Sequence, residues 1–81
     1  MHPDQVAELI RAALPGARVE VRSEDQTHFE ALIISADFAG QRPIARHQRV
    51  YGALGERVGR EIHALSIEAH TPEEWTARPA G

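Results

Sequence analysis

The sequence predicts an α+β fold: one small domain over residues 1–81, in the order α-β-β-α-α-β-α, with a three-stranded mixed sheet and its helices on one face. Three observations carry this. The chain has 81 residues, room for a single hydrophobic core. Apolar residues recur at steps of three and four in 3–14 and 43–58, but at steps of two in 17–22 and 63–69. Proline and glycine punctuate the boundaries between these stretches. Stacking helices against one face of a short sheet is the economical way to bury both kinds of stripe.

Each element follows from its residues. In "PDQVAELIRAAL", Val6, Leu9, Ile10, Ala13 and Leu14 form one helical stripe; Pro3 or Asp4 suits the start, and Pro15-Gly16 ends it. "ARVEVR" turns Val19 and Val21 inward and Arg18, Glu20 and Arg22 outward, the pattern of a half-buried strand. "SEDQ" is polar turn material, and "HFEALIIS" is a second strand, paired to the first as a hairpin. "ADFAGQRP" is a loop anchored by Phe38. From Pro43 the helical step returns through Ile44, His47, Tyr51, Leu54 and Val58, with Val50 beside them. Gly52, Gly55 and Gly59 interrupt it, each at a cost of roughly 1 kcal/mol relative to alanine. Two short helices meeting near Gly52–Gly55 are therefore expected. "HALSIEA" alternates His63, Leu65, Ile67 and Ala69 against Ala64, Ser66, Glu68 and His70, a third strand. Thr71 as N-cap, Pro72 at the first position and then Glu73 and Glu74 start a last helix, followed by a frayed tail, "ARPAG". The core is expected to contain Val6, Leu9, Val19, Val21, Leu54, Leu65 and Ile67.

Composition narrows the function classes. There is no cysteine, so no disulfide forms and no thiolate of this chain holds a metal. No stretch has the length of a signal peptide's apolar run or approaches the ~20 apolar residues of a membrane span, and a cytoplasmic domain is expected. The formal charge is −3, unevenly spread: Arg42, Arg46, Arg49, Arg57 and Arg60 against Glu56 give residues 42–60 a balance of +4. All nine basic residues are arginine, the better fork for carboxylate and phosphate.

The five histidines are the groups suited to work near neutral pH. His2 belongs to the terminus and His47 to the apolar stripe of the second helical stretch. His28 and His63 open strands, and His70 lies on the side of its strand opposite Leu65 and Ile67. No HExxH, CxxC or CxxH spacing is present. Ser23, Ser35 and Ser66 lack a Gly-x-Ser-x-Gly context, so no enzyme is expected. "GALG" at Gly52–Gly55 matches the GxxG of KH domains, whose loop lets the backbone approach phosphates. With Arg46, Arg49 and Arg57 it makes a candidate nucleic-acid surface, the other side of the choice being a helix–helix turn beside a solvated arginine face.

Taken jointly, several motifs resemble the BolA family: Arg46-His47 followed by Val50, Ile62-His63-Ala64 opening a strand, Thr71-Pro72 with Trp75, and Phe38 with Gly40 in the upstream loop. The resemblance runs from about Val6 to Ala77, and the short first hairpin with "HF" looks most like the IbaG-type bacterial branch. It implies a KH-like fold and an adaptor that binds a monothiol glutaredoxin with its glutathione, sharing a 2Fe–2S cluster for iron–sulfur assembly or transfer. His63 would be one cluster ligand and His28 the candidate for a second. Arg46, His63 and Trp75 would meet the partner, and the isolated chain would carry no cofactor. Family members are also described as stress-linked transcriptional regulators, which keeps Arg46, Arg49, Gly52, Gly55 and Arg57 open as a nucleic-acid-binding set.

Overall fold

The computed structural model describes residues 1–79, and its elements stand close to where the periodicities place them. Helix α1 covers Pro3–Ala13 and buries Val6, Ala7 and Ile10. Pro3 takes the first helical position as expected, but the cap is His2: its Nδ1 accepts the Asp4 N–H at 3.1 Å while Gln5 Oε1 accepts the His2 N–H at 2.8 Å. Strands β1 (Arg18–Arg22) and β2 (His28–Ile34) form the antiparallel hairpin, with Val19 opposite Ile33 and Val21 opposite Ala31. Strand β3 (Ala64–His70) lies parallel to β2 on its other side, with Phe29 opposite Leu65 and Ala31 opposite Ile67. The sheet is thus mixed, with β2 central.

One face of the sheet packs under α1 and α2 (Pro43–Leu54); Val6, Ile10, Leu14, Val50 and Leu54 meet Val19, Phe29, Ala31 and Ile33 there. The opposite face exposes Glu20, Arg22, Glu30, Ser66 and Glu68. A 3-10 turn, Ala36–Phe38, drives Phe38 into the core, with Ser35 Oγ accepting the Asp37 N–H at 3.1 Å. Helix α3 (Pro72–Ala77) is capped by Thr71 as expected and lays Trp75 against His70, ring centroids 5.6 Å apart. Of the expected tail, Ala80 and Gly81 lie outside the described residues. Of the expected core, Val6, Val19 and Leu54 are buried, while Leu9, Val21, Leu65 and Ile67 pack half-buried against it. Phe29, Ile33, Phe38 and Ile62 are fully enclosed and form its centre.

Two expectations for the second helical stretch are corrected. It is one α-helix that runs through Gly52 to Leu54, not two short ones. Gly55, at φ +60°, ends it in the left-handed region that glycine enters without strain, and only a 3-10 turn, Gly55–Arg57, follows. The buried stripe is also out of phase with the apolar one. It runs Arg46, Val50, Leu54, leaving Ile44 67% and Tyr51 41% exposed and His47 half-buried.

Arg46 can be buried because its donors are met. The residue is 8% exposed, and its guanidinium forks onto Glu74 at 2.5 and 3.0 Å. It also donates to the Gln41 carbonyl at 2.9 Å and the Ala69 carbonyl at 3.1 Å, and lies 5.8 Å from the Phe38 ring centroid. A charge taken out of water is tolerated only under such pairing. Glu74 in turn accepts the Thr71 N–H at 2.9 Å, so one carboxylate both caps α3 and holds α2.

Phe38→Ala is expected to destabilise the domain by about 3–5 kcal/mol, because the side chain is wholly enclosed. Leu65→Ala, at a half-buried position, should cost less. Urea unfolding midpoints for the two variants give the comparison, and equal losses would contradict this ranking.

The guanidinium of Arg46, and after it the Thr71 N–H, hold the Glu74 carboxyl down at about 2, below its ordinary 4.5. The folded value lies below the unfolded one. The contribution is therefore complete above about pH 4.5 and is lost as pH falls toward about 2. Urea midpoints measured down this window should fall for the native chain. Glu74→Gln should start lower at neutral pH and fall less steeply; parallel curves would remove Glu74 from the acid response.

Candidate metal centre

The loop between β1 and β2 is short and polar, and its own side chains fold it. Asp25 Oδ1 accepts the Thr27 N–H at 2.9 Å and the His28 N–H at 2.8 Å. Ser23 Oγ accepts the Gln26 N–H at 2.9 Å and donates to the His28 carbonyl at 2.6 Å. Gln26 sits at φ +58°, a left-handed conformation that non-glycine residues adopt uncommonly and here within this network. The Thr27 carbonyl then reaches across to the start of β3, accepting the His63 N–H at 3.0 Å and the Ala64 N–H at 3.1 Å.

These bonds bring together two histidines from distant parts of the chain. The His28 and His63 rings stand edge to face at 86°, centroids 5.8 Å apart, and both residues are exposed. The second oxygen of Asp25, Oδ2, lies 2.7 Å from His28 Nδ1. The bonds from the His28 N–H, the His28 ring and the Thr27 N–H hold the Asp25 carboxyl well below the usual carboxylate range.

The spacing of the pair can be compared with that of two imidazoles on one metal ion. Two imidazole nitrogens at roughly 2.0–2.1 Å from one ion put their ring centroids about 5.2 Å apart at a tetrahedral angle, and the observed 5.8 Å is slightly wider than that. Among the described residues no group of three or more His, Asp or Glu side chains could hold a metal, and there is no cysteine. The pair thus provides two imidazoles and, among the described residues, no third ligand beside them. An iron of a 2Fe–2S cluster accepts two histidines in place of two thiolates, so the donor set fits that group.

The other candidates are placed differently. Arg46 and Trp75 are not beside the histidine pair. Arg46 bonds to the Ala69 carbonyl near the far end of β3, and Trp75 packs on His70, its last residue. A seven-residue strand puts this end about 20 Å from its start. Trp75 is half-buried, with the Arg78 guanidinium 3.5 Å from its ring centroid. Arg46 is spent on Glu74 and leaves the arginine surface. Arg49 is half-buried and donates to the Asp37 carbonyl at 3.3 Å. Arg57 is exposed in the turn after Gly55, while Gly52 lies within the last turn of α2 rather than in a loop. Sequence reasoning missed Asp25 and Glu74 as organising residues. Their only signals were an aspartate three residues before a histidine and a glutamate three residues after a capping threonine, both also ordinary turn and cap patterns.

Comparison with known proteins bears on the fold and the family. Residues 10–74 match the family model described as BolA-like protein. A protein of the rpoN-murA intergenic region of Acinetobacter guillouiae is 40% identical over 76 residues, covering 93% of this chain and 90% of that one. The "DNA-binding transcriptional regulator BolA" of Haemophilus influenzae is 47% identical over 53 residues, 65% of this chain; the match spans only 52% of that relative's length. A solved BolA homologue from Coxiella burnetii superposes with a TM-score of 0.83 at 35% identity, covering 94% of this chain and 97% of that one.

Proposed function

The chain belongs to the BolA-like family, and from that premise we propose that it is an adaptor that binds a glutathione-carrying monothiol glutaredoxin and shares a 2Fe–2S cluster with it for transfer in the cytoplasm. The observation that carries this reading is the exposed His28–His63 pair, two nitrogen donors on adjoining strand starts in a chain without thiolates. His63, the histidine that the family resemblance marks as a cluster ligand, is the principal one, and its N–H is bonded to the Thr27 carbonyl. His28 stands next to it as the second. The partner supplies the sulfur ligands, a cysteine and the glutathione thiol. When bound, a cluster with imidazole replacing thiolate on one iron has a higher potential than an all-thiolate one, which alters its readiness to move on.

His63→Ala should change folding stability by less than about 0.5 kcal/mol, since the side chain is exposed. Mixed with a cluster-loaded monothiol glutaredoxin, the native chain should alter the visible absorption and circular dichroism. His63→Ala should abolish or strongly change that signature and His28→Ala should perturb it less. An unchanged spectrum with folded His63→Ala would end this assignment.

A second reading, a nucleic-acid-binding regulator linked to stress, is favoured by one observation. Arg57, at the end of the Gly55–Arg57 turn, and Arg60 are both exposed and, among the described residues, form no ion pair. If each meets one phosphate, removing both to alanine should weaken binding to all sequences alike. The slope of log affinity against log salt should then become less steep by about 2. Absence of any fluorescence anisotropy change with labelled DNA at low salt would remove this reading for the domain.

A further inference from the structure

Asp25 does two jobs with two oxygens. Oδ1 is consumed by the backbone, accepting the Thr27 and His28 N–H groups. Oδ2 is left over and lies 2.7 Å from His28 Nδ1, in the same five-residue loop that delivers the Thr27 carbonyl to His63. An ionised carboxylate only accepts, so the proton in that contact sits on Nδ1. A neutral imidazole with its proton on Nδ1 has its lone pair on Nε2. We propose that Asp25 is a positioning residue of the His28–His63 site, fixing the His28 ring and its tautomer so that Nε2 is the nitrogen offered to metal. This rests on the cluster-sharing reading for its use, though the tautomer is a property of the isolated chain.

The arrangement has the form of an outer-shell carboxylate behind a metal-binding histidine, which sets ring orientation and raises ligand basicity. It also gives a use to a loop with a left-handed Gln26: in that turn Oδ1 meets two backbone donors while Oδ2 meets the ring three residues on. His63 has no such partner among the described residues. Its position is set through its backbone, and that of His28 through both backbone and ring.

Asp25→Asn separates the two jobs. The amide oxygen can keep the bonds from Thr27 and His28, while the amide nitrogen now donates toward Nδ1 and drives the ring proton to Nε2. Long-range proton–nitrogen correlation spectra of the isolated chain, at about pH 8 where an ordinary imidazole is neutral, read this directly. The native chain should show His28 protonated on Nδ1 and Asp25→Asn should show it protonated on Nε2. A native His28 protonated on Nε2 overturns the proposal without recourse to any variant, so a failure of Asp25→Asn to fold does not shelter it.

The second arm uses the cluster-loaded glutaredoxin. Asp25→Asn should weaken the mixed complex about 10–100-fold, the usual effect of removing an outer-shell partner. It should add nothing in a His28→Ala background, because it acts through that ring. Full affinity with an unaltered spectrum for folded Asp25→Asn overturns the positioning role. If instead the native chain forms no mixed species while its His28 carries the proton on Nδ1, the cluster-sharing reading fails and the Asp25–His28 geometry stands.

Discussion

The buried guanidinium of Arg46 is the constraint around which one end of the molecule is built. A charge in that position is costly unless its donors are satisfied; three separate pieces of chain satisfy them and a fourth lies against the guanidinium. The Gln41 carbonyl comes from the loop before α2, the Ala69 carbonyl from β3, the carboxylate of Glu74 from α3, and the ring of Phe38 from the 3-10 turn. None of these pieces is large enough to hold itself. The last helix has six residues, well below the length at which a helix persists alone in water. It stays because Thr71 and Glu74 cap it reciprocally and the same carboxylate is forked by Arg46.

The phase of α2 follows from the same contact. Successive residues of a helix are about 100° apart, so a stripe through Arg46, Val50 and Leu54 is centred near Val50. Ile44 and Tyr51 then fall roughly 100–120° away from that centre and within about 20° of each other. They are exposed together, a consequence of burying the arginine rather than a separate feature. This is why hydrophobic periodicity misread the helix. A pattern of apolar residues assigns isoleucine inward and arginine outward, and has no access to a carboxylate 28 positions later that reverses the preference. The alternating strands and the Thr71-Pro72 start were legible because each rests on local chemistry. The hairpin was legible too, from its short connection. The Gly55 stop was visible as a glycine but not as the end of a continuous helix, since a glycine at a helical step and a glycine at a cap look alike in sequence.

The candidate site was half legible. His63 and His28 could be singled out as histidines at strand starts, but nothing in the alternation of either strand says that they meet. That depends on β3 pairing parallel to β2. In a parallel pair both strands begin at the same end of the sheet, so residues that open them become neighbours; an antiparallel pairing would have set them a strand's length apart. The parallel choice in turn requires a crossover between the strands, and α2 with its 3-10 turn is that crossover. The helix that carries Arg46 is therefore also what delivers His63 to His28.

The two ends of the sheet divide the work. At the end of β3, Arg46, Glu74 and Phe38 bind core and helices together through side chains that are buried or shared. At its start, His28 and His63 are held chiefly through backbone bonds, from Thr27 and Asp25, and their rings project into solvent. A ring placed by its backbone can exchange ligands without disturbing the core, because no buried contact depends on it. The buried ion pair and the exposed histidine pair are in this way about 20 Å apart, at opposite ends of one seven-residue strand. A small domain with little stability to spare can keep an exposed pair of imidazoles at a strand start because none of its core contacts depends on them.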